Sequence, residues 1–187
     1  MILSSLGLRE RLDVRLAGVC GMRPGEIAGL CWRHIGEQSL RVEQRIYRGK
    51  LDTPKSDKGV RAVPLPQSVR DDISEWRLIS RNNLPDDWVF PNERGKPLWI
   101  NTLWYDHIKA PVLDKLGLGW VNYLVLRRSA ITLLNAQANA DATIIAALCG
   151  HRVDVSTNVY NKVGLERQLH AVQTLDNALQ PAAQLAS

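Results

Sequence analysis

The chain has 187 residues, 45% of them hydrophobic, with a formal charge of +5 and a pI of about 9.3. That length suits one domain with a buried core, and the basic balance favours an acidic partner such as nucleic acid. Cys20, Cys31 and Cys149 are odd in number and scattered, which excludes a disulfide framework or a paired zinc site and suits a reducing cytoplasm; the opening MILSSLGLRERLDVRL turns charged too early for a signal sequence or a membrane span.

Leu8, Leu12, Leu16 and Val19 share one helical face, so residues 8–20 read as an amphipathic helix that Gly21 ends. Pro24 suits the first position of a second helix, with Glu26 in its first turn, Ile27 and Leu30 on its apolar side, and Arg23 just ahead of it. After Gly36 the pattern changes. Leu40, Val42, Gln44 and Ile46 alternate, Gly49 offers a turn, residues 51–55 read as extended, Asp57-Lys58-Gly59 offers a second turn, and Val60 to Leu65 makes a third strand. The expectation is a small three-stranded antiparallel sheet. Its segment 41–61 carries Arg41, Arg45, Arg48, Lys50, Lys55, Lys58 and Arg61 against Glu43, Asp52 and Asp57, a composition that a merely solvated sheet face would also have.

Helix returns at Ser68, with Val69, Ile73 and Trp76 on one face, and is spent by Asn82-Asn83. A connecting stretch holds Trp88, Phe90 and Trp99; a helix from about Thr102 is interrupted near Pro111, and another runs from about Leu124 to Ala138. Asp141 can cap a short helix bearing Ile144, Ile145 and Leu148, which Gly150 stops. Leu165, Leu169, Val172 and Leu179 mark a last amphipathic helix, and the tail PAAQLAS reads as frayed. The fold class is mainly α with a small antiparallel sheet, α+β. The six tryptophans read as core and loop packing rather than as base-stacking platforms.

Five residues stand out chemically: Arg23 in GMRPGEI, Lys55 in TPKSDKG, Arg127 in LRRSAITLL, His151 in CGH, and Tyr160 closing VSTNVY. Arginine forks suit the non-bridging oxygens of a phosphodiester, and the helix opened by Pro24 adds its positive end beside Arg23. A lysine can protonate a departing oxygen, and a tyrosine oxygen can attack phosphorus. Together they offer phosphoryl transfer that needs no metal or nucleotide.

GMRPGEIAGLCW, the TPKSDKGVRAVPLP hairpin, the LxLRRS helix start, and LCGH followed nine residues later by Tyr160 occur in an order and at spacings that resemble the catalytic domain of tyrosine recombinases, the phage integrase family. The resemblance covers residues 15–163. It implies that Arg23 and Arg127 clamp the scissile phosphate of double-stranded DNA, that His151 adds a hydrogen bond to it, that Lys55 is the general acid for the leaving 5′ oxygen, and that Tyr160 is the nucleophile, forming a 3′-phosphotyrosyl link. Lys50 and Lys58 are alternatives for Lys55, and Arg128 directly follows Arg127, the family pattern favouring the first of that pair. No cofactor is implied.

The chain departs from the pattern twice. A His usually stands three positions before the second arginine, where this sequence has Leu124. The family also carries a separate N-terminal domain that closes a clamp on DNA, whereas this chain starts about one helix before Arg23, so residues 1–187 read as the catalytic domain alone. The expected function is site-specific DNA recombination or integration for a phage or mobile element. The rivals are a catalytically impaired remnant that only binds DNA or dimerises, and a helical scaffold with no DNA role. In the family the last helix often docks on a neighbouring protomer, so the face Leu165–Leu179 is expected either to build a homo-oligomer on DNA or to pack on its own domain.

Overall fold

The computed structural model describes residues 2–52, 60–136, 140–150 and 165–179. Helix α1 (Leu8–Gly18) buries Leu12, Leu16 and Ala17 against two later helices, α3 (Gln67–Ile79) and α5 (Tyr123–Ala136). Gly21 then reverses the chain with φ +64°, and the Met22 amide returns to the Leu16 carbonyl at 3.0 Å. Helix α2 (Pro24–Ala28) follows, with Arg23 at its N-cap and proline at its first position.

In place of the expected three-stranded sheet, the described residues form four strands in two antiparallel pairs, and residues 53–59 of the expected second strand and turn lie outside the described residues. β1 (Ser39–Val42) is antiparallel to β4 (Arg61–Pro64), with Leu40 opposite Val63; β2 (Arg45–Tyr47) pairs with β3 (Lys50–Asp52), with Ile46 opposite Leu51. The alternation from Leu40 to Ile46 is broken because Gln44 turns its amide to the Gly29 carbonyl at 2.8 Å, which swings β2 onto α2. Close backbone approach there requires glycine. A Cβ on Gly25 would meet the Ile46 carbonyl oxygen at 2.7 Å, and one on Gly29 would meet the Arg45 Cα at 2.9 Å. Arg48 and Gly49 close the hairpin with φ of +50° and +75°, the left-handed pair that a two-residue turn demands.

Helix α3 (Gln67–Ile79) buries Val69 and Ile73, as their spacing predicts. Beyond the connecting stretch, α4 (Ile100–Thr102) leads into a π-helical run, Leu103–Leu113, which contains Pro111. Helix α5 (Tyr123–Ala136) follows, capped by the Asn122 side chain, which accepts from the Val125 amide at 3.1 Å. Asp141 caps α6 (Ala142–Cys149) as expected, accepting from the Thr143 and Ile144 amides at 2.9 Å each, and Gly150 ends it in the left-handed region.

Helix α7 (Leu165–Leu179) lies on its own domain, against β4, α5 and α6. Its buried stripe is Gln168, Ala171, Val172, Leu175 and Asp176, while Leu165 and Leu179 are exposed. Of the apolar face read from the sequence, Val172 is buried and Leu169 packs on the core, while the two end residues are exposed because the helix packs through its middle turns. Asp176 is tied to α3, accepting from the Ser68 hydroxyl at 2.6 Å. The core has two parts. One gathers Leu12, Leu16, Trp32, Leu40, Val63 and Phe90; the other gathers Leu134, Ile144, Leu148, Val172 and Leu175 under α5–α7.

Trp32 and Trp104 are in the core, as expected, whereas Trp99 and Trp120, both in connections, are exposed. The class is α+β, mainly helical. Among the described residues no helix is long and apolar enough to cross a membrane.

Candidate active site

Three arginines from three distant parts of the chain meet at one helix end. The last carbonyls of α6 lack partners within the helix and carry its partial negative charge. Arg61 of β4 donates from Nε to the Leu148 carbonyl at 2.9 Å. Arg127 of α5 donates from Nη2 to the Cys149 carbonyl at 2.5 Å, and from Nη1 to the Gly21 carbonyl. Arg23, at the N-cap of α2, donates from Nη2 to the Gly150 carbonyl at 3.2 Å.

The Glu26 carboxylate ties two of the three arginines together. Glu26 accepts from the Arg23 amide at 2.9 Å and from Arg23 Nη1 at 2.9 Å, and takes both Arg61 Nη1 at 3.0 Å and Arg61 Nη2 at 2.8 Å. The side chains of Glu26 and Arg61 are almost wholly buried. Burial alone pushes the Glu26 carboxyl up, but hydrogen bonding and charge from Arg61, with help from Arg23, outweigh it and hold the group below its ordinary value. Burial pulls the Arg127 guanidinium down, opposed by the Cys149 side. Among the described residues, the half-exposed Arg23 guanidinium is the part of this cluster that an anion can reach.

Exposure separates the roles. Arg127 is buried and its two η nitrogens are engaged with backbone, so it braces the turn at Gly21 against the end of α6. The Arg23 side chain is 41% exposed and offers guanidinium surface to solvent. Gly150 must lack a side chain: its φ is +60°, and a Cβ there would meet Arg61 Nη1 at 3.1 Å and Arg23 Nη1 at 3.4 Å.

The structure therefore brings Arg23 and Arg127 onto adjacent carbonyls, directly before His151 in sequence. Lys55, His151 and Tyr160 lie outside the described residues. Glu26 and Arg61 were not singled out from the sequence. The one local signal was Glu26 three residues after Arg23, the position from which a helix's third residue reaches back to its N-cap amide. Leu124 is on α5 one turn before Arg127 and is 54% exposed, so nothing in the core requires leucine there.

A family model described as the phage integrase family matches residues 2–167. Relatives include a tyrosine recombinase XerC-like protein from Caldanaerobacter subterraneus subsp. tengcongensis, 25% identical over 91% of this chain and 50% of the relative, and tyrosine recombinase XerD from Proteus mirabilis, 30% identical over 86% and 49%. Among solved structures, XerA recombinase aligns over 96% of this chain and 59% of that chain, with 19% identity and a TM-score of 0.61. The Tn1549 transposon integrase in complex with circular intermediate DNA aligns over 77% and 51%, with 18% identity and a TM-score of 0.62. The architecture is thus that of tyrosine recombinase catalytic domains. The chain belongs to the phage integrase family. It spans about half the length of the curated relatives it matches.

Proposed function

We propose that residues 1–187 form the catalytic domain of a site-specific tyrosine recombinase, which cuts and rejoins duplex DNA without a cofactor and assembles as a homo-oligomer on it. The convergence of Arg23, Arg61 and Arg127 on the carbonyls of residues 148–150 carries this reading, because it concentrates cationic hydrogen-bond donors at the chain segment that leads to His151. Arg23 and Arg127 hold the two non-bridging oxygens of the scissile phosphate, Arg127 by exchanging the Gly21 and Cys149 carbonyls for them, and stabilise the charge that builds at the pentavalent stage. His151 donates a further hydrogen bond. The Tyr160 oxygen attacks phosphorus and loses its phenol proton to solvent, the bond to the 5′ oxygen breaks, and that oxygen takes a proton from Lys55. Rejoining reverses these steps when a 5′ hydroxyl attacks the phosphotyrosine.

The test is covalent trapping on nicked duplexes. An adduct that survives denaturation and is lost in Tyr160→Phe, with DNA binding intact, supports the reading; an adduct that persists in the variant removes Tyr160 from its role.

Leu124 favours a second reading, a DNA-binding remnant with impaired chemistry, since an exposed leucine stands where a proton-accepting group assists the nucleophile. General-base assistance is typically worth about 10²–10⁴ in rate, or roughly 3–5.5 kcal/mol of barrier. Leu124→His raises the cleavage rate if its absence is limiting. No adduct from either protein on a duplex that both bind favours the remnant.

A further inference from the structure

We infer that Asp13 and Tyr123 are positioning residues for strand cleavage: their buried hydrogen bond sets α5 on α1 and so fixes where Arg127 stands relative to Arg23. The assignment rests on the DNA-rejoining reading and adds to it two buried residues that act through the arginines.

Packing alone explains the pair poorly. Asp13 is fully buried and Tyr123 nearly so. The Tyr123 hydroxyl donates to Asp13 Oδ2 at 2.7 Å, while Oδ1 has no hydrogen-bond partner among the described residues. Burying a polar group without a partner costs free energy, which Asp13→Leu combined with Tyr123→Phe would avoid in much the same space. What the polar pair has and an apolar pair lacks is direction, because a hydrogen bond weakens steeply as donor and acceptor move out of line. The Trp104 ring, its centre 4.4 Å from that of Tyr123 and its plane tilted by 45°, holds the phenol from the side of the Leu103–Leu113 run.

The two residues sit where that direction is used. Tyr123 and Arg127 are one turn apart on the buried face of α5. Asp13 is on α1, and the chain after α1 is tied back into it. The Val19 and Cys20 amides return to the Arg15 carbonyl at 2.8 and 3.2 Å, and the Met22 amide to the Leu16 carbonyl at 3.0 Å. A slide or rotation of α1 therefore carries Gly21 and Arg23 with it. Helix α5 meets this unit through Tyr123 on Asp13 and through Arg127 on the Gly21 carbonyl. Between them Leu126 packs over Gly18, 3.8 Å from where a Cβ there would lie. The Gly21 contact is given up when Arg127 turns to a phosphate oxygen. The Asp13–Tyr123 bond is not, so it keeps α5 in register while the guanidinium changes partners.

Wild type, Tyr123→Phe, Asp13→Asn, Asp13→Leu and the double variant Asp13→Leu with Tyr123→Phe are compared on a nicked duplex, well below their thermal midpoints. The readouts are the rate of covalent adduct formation at saturating DNA, the DNA concentration that gives half that rate, and the thermal midpoint itself. Asp13→Asn keeps an oxygen acceptor for the phenol and should keep the rate. Tyr123→Phe and Asp13→Leu should each lower the saturating rate by about 10²-fold, the scale of an ångström's misplacement, with the half-saturating concentration unchanged. The double variant should regain thermal stability over Tyr123→Phe yet stay as slow as either single change, since both act through one bond. The positioning assignment alone is overturned by a rate that recovers with the midpoint in the double variant, by Asp13→Asn as slow as Asp13→Leu, or by Tyr123→Phe as fast as wild type. A wild-type chain that forms no adduct on any duplex it binds overturns the assignment and the rejoining reading together.

Discussion

Glu26 and Asp13 are both buried carboxylates, and they respond to pH in opposite ways. Glu26 is surrounded by guanidinium donors, so its folded-state pKa lies below the unfolded value. Its stabilisation is present above the unfolded pKa and is lost as pH falls through the folded one. Glu26→Ala strands Arg61 and Arg23 without their counter-charge and is expected to cost about 3–5 kcal/mol, measured by urea unfolding at neutral pH. Asp13 is fully buried; its Oδ2 accepts from the Tyr123 hydroxyl at 2.7 Å, and its Oδ1 has no hydrogen-bond partner among the described residues. Burial raises its carboxyl from 3.8 to about 7, against the pull of that hydrogen bond, with Glu10 adding to the rise and Arg9 opposing it. The folded state therefore holds this proton more tightly, and stability should fall as pH rises from about 4 to about 7, by an amount of order 4 kcal/mol for a shift this large. Asp13→Asn should flatten that stretch of the stability–pH curve; an unchanged curve would show that Asp13 is not the group responsible. Arg23 and Arg127 could be picked from short motifs because their contexts are local. The work of Glu26 could not, because Arg61 lies 35 residues further on and no pattern within a helix announces it.

At the level of elements, the seat of the β2–β3 hairpin depends on two missing side chains. Gly25→Ala would place a methyl 2.7 Å from the Ile46 carbonyl oxygen, and backbone rather than a flexible side-chain end must move. The expected cost is about 1–3 kcal/mol, as for other overpacked sites. It should appear as a lower thermal midpoint together with faster amide exchange in residues 45–47. Helix boundaries were legible because caps and apolar spacing are local properties: Asp141 and Gly150 bracket α6 as read, and α3 buries the face that Val69 and Ile73 define. The pairing of the strands was not, since the break after Val42 is set by Gln44 reaching Gly29 on another element. The π-helical run around Pro111 has no signature in apolar spacing beyond the interruption that proline itself signals.

For the molecule as a whole, α7 decides whether the domain is complete by itself. Its buried stripe is covered by β4, α5 and α6 of the same chain, and Leu175 is fully enclosed. Leu175→Ala is expected to cost about 2–5 kcal/mol, with a thermal midpoint that does not vary with protein concentration. A midpoint that rises with concentration would mean that the helix is shared between copies. Family and fold class were readable from four motifs in order; the exposure of Leu165 and Leu179 was not, because residues at the ends of an amphipathic stretch are indistinguishable in sequence from those that meet the core.

The meeting of three arginines on the carbonyls of residues 148–150 also orders events during synthesis. Arg23, Arg61 and Arg127 all leave the ribosome before the helix end that holds them. A nascent chain can display these cations but cannot array them, and only the arrival of Gly150 allows the array to close. The arginine cluster is thus timed by translation, closing only after residue 150 has emerged from the ribosome.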